Sequence, residues 1–214
     1  MKKHLLLFAM ACTLLAMPKL ANAQMEDSRI GLKGGLNLST LYTGDIDDKD
    51  PRIGFHAGIF TEVAVAEYFS IQPELLFTTK GNTYTYSVDG PANIINADGE
   101  AEIKLSYIEL PILAKVSIAE VVNIHAGPYA GYLVAANTSL DGDILDQFDE
   151  DIDRDNFNPW DFGVAVGAGV DLSAVSIGVR YNYGLVEIAE STAAESLLGD
   201  SKNAVLQGYI AVGF

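Results

Sequence analysis

The sequence predicts an all-β fold: an eight-stranded, antiparallel, up-and-down β-barrel that spans an outer membrane. Three observations predict it. Eight runs alternate between apolar side chains and small or polar ones. The connections between these runs alternate between short and long. The chain opens on an apolar leader and closes on the aromatic Phe214.

The first run, 29–40, puts Ile30, Leu32, Leu36 and Leu38 on one face and Lys33, Asn37 and Ser39 on the other. The second, 53–65, sets Phe55, Ala57, Ile59 and Val63 against His56, Gly58 and Glu62. In the third, 69–79, Ile71, Leu75 and Phe77 oppose Gln72, Glu74 and Thr78. The fourth, 103–116, has Ile108, Leu110, Ile112 and Ala114 opposite Tyr107, Glu109 and Lys115.

The fifth, 122–136, shows Ile124, Ala126, Ala130 and Val134 against His125, Gly127, Tyr129 and Gly131. The sixth, 161–172, shows Phe162, Val164, Val166 and Val170 against Gly163, Gly167 and Gly169. The seventh, 175–185, shows Val175, Ile177, Val179 and Tyr181 against Ser176, Gly178, Arg180 and Asn182. The closing run, 203–214, carries Leu206, Gly208, Ile210, Val212 and Phe214 on one face, with Gln207 and Tyr209 on the other. A period of two, repeated between turn signals, is a strand pattern. Runs of about ten residues suit tilted strands crossing a bilayer.

The connections at 66–68, 117–120 and 173–174 are tight. Those at 41–52, 80–102, 137–160 and 186–202 are long, polar and mostly acidic. Short turns on one rim and long loops on the other are the layout of outer-membrane barrels. With eight strands, both termini are expected in the periplasm and the four long loops outside. A closing strand that ends on Phe214 is expected to be read by the barrel-assembly machinery.

Met1-Lys2-Lys3-His4 is a basic n-region, Leu5–Met17 an apolar h-region and Ala21-Asn22-Ala23 an A-x-A cleavage site. The expectation is a cleaved signal peptide at 1–23 and a barrel domain at 24–214, which leaves no length for a separate anchoring domain. Cys12, the only cysteine, lies inside the h-region. The mature protein then has no disulfide and no cysteine metal site.

Removing Lys2, Lys3 and Lys19 leaves 10 basic residues against 29 acidic ones, a charge of −19. That balance excludes a free nucleic-acid binder. The acids gather between the apolar runs, so the mean hydropathy stays positive at +0.19.

A soluble eight-stranded barrel such as a lipocalin would alternate in the same way with the faces exchanged. Its water-facing side would carry many Lys and Glu. Here the polar face is mostly Gly, Ala, Ser and Asn, and the apolar face is free of charge at the strand centres. Lipid requires this, because a mid-bilayer Lys or Arg costs roughly 2–4 kcal/mol. Tyr68, Phe69, Phe77, Tyr132, Trp160, Phe162 and Tyr183 stand near strand ends, where aromatic girdles form.

The segments 31–39 (GLKGGLNLS), 71–77 (IQPELLF), 107–113 (YIELPIL), 126–131 (AGPYAG) and 179–184 (VRYNYG), in this order and spacing, resemble the PorT-type outer-membrane β-barrel family, small OmpA/OmpX-like barrels. The resemblance covers essentially the whole mature chain. It implies a non-enzymatic barrel with a structural or accessory envelope role linked to protein secretion. It carries over no catalytic residue and no cofactor. A small passive pore is the alternative.

Three polar features follow from the strand pattern. Pro73, Pro111 and Pro128 lack a ladder donor, so bulges or local breaks in pairing are expected there. Glu74, Glu109 and Arg180 fall on the inward face, and an eight-stranded lumen is narrow enough for side chains to fill it. Buried charges need partners. An interior network of Glu74 and Glu109 around Arg180 is therefore expected, with Lys115, Glu62, Lys33 and Asp171 as a second group nearer the periplasm.

His56 is placed towards the outer rim and His125 towards the periplasmic rim, too far apart to share a catalytic site. No hydrolase, zincin or Walker motif is present. The acidic run Asp149, Asp151, Asp153 and Asp155 has the oxygens for Ca²⁺ but not the EF-hand spacing or glycine. Solvated acid, a Ca²⁺ site and divalent bridges to lipopolysaccharide phosphates all remain open for it. The expected partners are outer-membrane lipid and lipopolysaccharide, the assembly machinery and an envelope or secretion protein.

Overall fold

The computed structural model describes residues 28–42, 50–89, 96–118, 121–142, 145–151, 157–188 and 201–214. The expected signal segment, with Cys12, lies outside them. Nine strands occur among the described residues: β1 (Arg29–Tyr42), β2 (Asp50–Ala66), β3 (Phe69–Asp89), β4 (Asn96–Ile118), β5 (Val122–Gly142), β6 (Leu145–Asp151), β7 (Trp160–Leu172), β8 (Val175–Glu187) and β9 (Lys202–Gly213).

All pairings are antiparallel. Eight of the strands close into a ring, because β1 pairs with β9 and β4 pairs with β5. β6 stands outside the ring and pairs with the loop-end part of β5.

The faces divide as the alternation predicts. Leu32, Leu36, Ile59, Val166, Val179 and Ile210 point outward and are exposed, while Lys33, Asn37, His56, Glu74, Arg180 and Gln207 point inward and are buried. The wall is therefore apolar on its lipid side and polar within.

At one rim, β2 turns into β3 through Glu67-Tyr68, and β7 turns into β8 through Ser173-Ala174, with Ser173 in the left-handed region. Among the aromatic residues expected in girdles, Tyr68 and Phe69 are exposed at this turn end. Near the other rim, the Trp160 ring stacks on Phe162 at 5.6 Å and meets Tyr132 edge-on at 5.1 Å.

Two expected loops are partly strand. β3 runs on to Asp89 and β4 begins at Asn96, so much of 80–102 is an extended hairpin paired from Lys80↔Leu105 to Asp89↔Asn96. β5 continues to Gly142, and β6 occupies part of 137–160. The alternation runs on through the hairpin, with Tyr84, Tyr86 and Val88 set against Thr85, Ser87 and Asp89, and Ala97, Ala101 and Ile103 against Asp98, Glu100 and Glu102, but its Gly, Pro, Asn and acidic residues carry a loop signal. Gly81, at φ +144°, lies beside the register irregularity between Pro51↔Asn82 and His56↔Thr78, and a Cβ there would strike the Ile103 carbonyl.

The prolines interrupt pairing without shifting register. Pairing between β2 and β3 lapses from Phe60↔Glu74 to Val63↔Ile71, on the β2 side of Pro73. Between β3 and β4 it lapses from Pro73↔Ile112 to Leu76↔Glu109, beside Pro111. Between β4 and β5 it lapses from Pro111↔Tyr129 to Ala114↔Ala126, beside Pro128. Each proline lacks one donor and breaks the ladder towards one neighbour. The true register shifts lie elsewhere, for instance at Ser106/Tyr107.

Candidate functional site

The lumen holds the polar chemistry of this chain, stacked in layers from the turn end to the loop end. At the turn end, Glu62 accepts from Arg29 Nε at 2.9 Å and Lys115 Nζ at 3.1 Å. Lys115 also pairs with Asp171 at 3.1 Å, and Asn123 donates to the same carboxylate at 3.0 Å. A small cavity here is lined by Lys115, Asp171, His125, Ser176 and Tyr209, among others.

The middle layer is built on Glu74. Arg180 grips its carboxylate with both terminal nitrogens, at 2.7 and 2.8 Å, Lys33 Nζ lies at 2.9 Å and Gln72 donates at 2.6 Å. One carboxylate thus serves two cations, all of them fully buried. The Tyr209 ring lies 3.7 Å from the Lys33 ammonium and 5.6 Å from the Arg180 guanidinium. Arg180 Nε also donates to His125 Nε2 at 3.4 Å.

Next, Asn37 Nδ2 donates to Thr78 Oγ1 and the Thr79 carbonyl, both at 2.9 Å, and Asn37 Oδ1 accepts from Gln207 at 3.1 Å. His56 Nδ1 lies 2.7 Å from the same oxygen, so it carries the proton.

Towards the loop end, Lys80 inverts the middle arrangement. Its ammonium is held between Glu109 at 2.7 Å and Asp161 at 2.8 Å. Asn182 donates to Glu109 at 3.0 Å and Asn203 to Asp161 at 2.9 Å. Above this layer, Phe157 and Ile188 pack on Leu105, Tyr107, Leu133 and Ala136, and Arg52 pairs with Glu102 at 2.6 Å.

The four interior residues named from sequence therefore fall into three clusters. Glu74 and Arg180 meet directly. Glu109 pairs with Lys80, and Lys115 with Glu62 and Asp171. Lys33 belongs to the middle layer, not to the turn-end group. Sequence reasoning missed Lys80, Asp161 and Arg29. The inward parity of Glu74 and Thr78 continues to Lys80, which the pattern puts at the start of the 80–102 loop, and that of Gly163 runs back to Asp161, the first residue of the 161–172 run.

His56 and His125 lie inside the lumen, bonded to Asn37 and to Arg180 with Asn123, deeper than the rims where the pattern put them. Of the acidic run, Asp149 and Asp151 lie on β6, while Asp153 and Asp155 are outside the described residues.

Taken together, Arg29, Lys33, Arg52, Lys80, Lys115 and Arg180 are matched by Glu62, Glu74, Glu102, Glu109, Asp161 and Asp171. Among the described residues these six cations and six carboxylates balance.

The inward glycines make room for this filling. The Phe60 ring lies where a Cβ on Gly31 would sit, the Tyr129 ring over Gly163, and the Tyr209 ring and hydroxyl over Gly178. Gly178→Ala would place its Cβ 2.5 Å from Tyr209 Oη and 2.6 Å from the Ala168 carbonyl. Overpacking of this kind costs about 1–3 kcal/mol. The variant is expected to unfold at lower urea than the parent, whereas Gly208→Ala, with no atom within 4 Å, is expected to leave the midpoint in place.

A closed ring of antiparallel strands, apolar outside and filled with paired charge within, defines a small outer-membrane barrel. The chain belongs to the outer membrane protein beta-barrel domain family, whose model matches residues 22–190. It is similar to the crystal structure of Neisserial surface protein A, at 13% identity and TM-score 0.49, covering 90% of this chain and 100% of that one. It is also similar to Ail, the attachment invasion locus protein of Yersinia pestis, in complex with the heparin analogue sucrose octasulfate. That match has 11% identity and TM-score 0.45, and covers 87% of this chain and 99% of Ail. No curated protein matches the chain.

Proposed function

We propose that this barrel is a closed, non-enzymatic envelope protein with a structural or accessory role, acting through partners at its long-loop end. The observation that carries the reading is the filled lumen. The Glu74 and Lys80 layers lie across it with their charged side chains buried. The residues 31–39, 71–77, 107–113, 126–131 and 179–184 resemble the PorT-type family, which supports a link to protein secretion.

In this reading both termini face the periplasm, the acidic loops face outward towards lipopolysaccharide, and the exposed Phe214 is the feature offered to the assembly machinery. Affinity purification of the tagged protein from outer membranes in mild detergent is expected to recover a secretion or envelope component. Recovery of the barrel alone would remove the accessory role.

A passive pore is the second reading. In planar bilayers the reconstituted barrel is expected to give no stepwise conductance. Steady ohmic openings would overturn the closed reading.

A further inference from the structure

We propose that the Lys80 layer is a binding site for one monovalent metal cation of the sodium or potassium class, held by oxygen atoms of Glu109, Asp161, Asn182 and Asn203. This layer sets two carboxylates against one ammonium, so it carries one negative charge in excess. Its two amides are fixed in orientation. Asn182 turns its nitrogen to Glu109 Oε1, and Asn203 turns its nitrogen to Asp161 Oδ2. Flipping either would set oxygen against carboxylate oxygen.

Among the described residues, their own oxygens, Asn182 Oδ1 and Asn203 Oδ1, are buried without a hydrogen-bond donor, and Glu109 Oε2 meets only the Lys80 ammonium. All four side chains are at least nine-tenths buried. The two amides belong to the paired strands β8 and β9, where Asn182 lies opposite Val205, two residues along from Asn203. Tyr129 Oη adds a donor to Asp161 at 3.4 Å, yet the two amide oxygens are still left over, and unpartnered buried polar atoms in a native lumen call for a water or an ion.

The charge excess favours the ion, and a set made only of oxygens selects a hard cation. The local charge needs a single positive unit, which a monovalent ion supplies. The Glu74 layer, one cation in excess, supplies its offset from below but reaches none of these bare oxygens.

The test is urea unfolding of the full chain in detergent micelles, in sodium, potassium or choline chloride at constant ionic strength. The midpoint is expected to rise with the logarithm of sodium or potassium concentration, as linkage requires for a ligand of the folded state. Asn203→Leu should abolish that slope, and Asn203→Asp should shift it to lower cation concentration. Equal midpoints in all three salts would overturn the proposal, and so would a midpoint that follows pH alone, which would mark a proton or water as the occupant. A slope that survives Asn203→Leu would assign the effect to the acidic loops and also overturn it. If the variants do not fold, crystals of the unaltered protein grown with thallium(I) decide the matter. An anomalous peak touching both amide oxygens supports the site, and its absence overturns it.

Discussion

Glu74→Gln is expected to be among the most damaging single changes in this chain. Among the described residues Glu74 is the only carboxylate bonded to Arg180 and Lys33, and both cations are fully buried. Neutralising it leaves two positive charges facing each other without an anion. Breaking a buried pair in this way costs about 3–5 kcal/mol. Arg180→Met should be milder, because Glu74 keeps Lys33 and Gln72 as donors and the cation repulsion disappears. Lys80→Met mirrors Glu74→Gln with the signs exchanged, since it strands Glu109 and Asp161 together. Urea midpoints in micelles should therefore group Glu74→Gln with Lys80→Met, well below Arg180→Met. Equal losses for Glu74→Gln and Arg180→Met would show that the layer is held by packing and not by this charge arithmetic.

Val166→Arg is the second. Val166 sits at the centre of β7, faces outward, and is opposed by Ala126 and Tyr181 on the neighbouring strands. A guanidinium there must enter the hydrocarbon. The cost is roughly 2–4 kcal/mol at the midplane and falls to about 0–1 near the interfaces. Leu172→Arg, at the turn end of the same strand and the same face, is the matched control. Refolding into lipid vesicles, followed by the mobility of unheated samples on gels, should show a large loss of folded protein for Val166→Arg and little for Leu172→Arg. Similar yields for the two would be incompatible with a lipid-facing outer wall.

The contrast between these variants also shows what a sequence can and cannot reveal about such a fold. That Val166 faces out and Glu74 faces in follows from parity alone, since one residue of slip would exchange the faces. The partner of Glu74 does not follow. Arg180 lies 106 residues away and Lys33 41 residues away, and only the stagger of the closed ring brings the three to one height. For the same reason Lys33 was expected at the turn end and Glu109 beside Arg180. Lys80 was lost for a different reason: it stands where the apolar face of β3 gives way to Thr79 and Gly81, although both are buried. The prolines were legible as trouble, but their resolution as gaps without bulges depends on which neighbour each missing N–H would have faced.

Those gaps have a mechanical consequence. Pro73, Pro111 and Pro128 unfasten three consecutive strand pairs along one arc of the wall, from β2 to β5. On the opposite arc, the closure between β1 and β9 is stitched without a break from Gly31↔Gly213 to Tyr42↔Lys202. The cylinder is therefore unevenly stiff. The junction of the two chain ends, which a simple hoop would make its weakest line, is here the firm side, and the compliant side is the stretch of unbroken chain opposite it. If the barrel ever breathes, it bends about the prolines and leaves its first and last strands clasped.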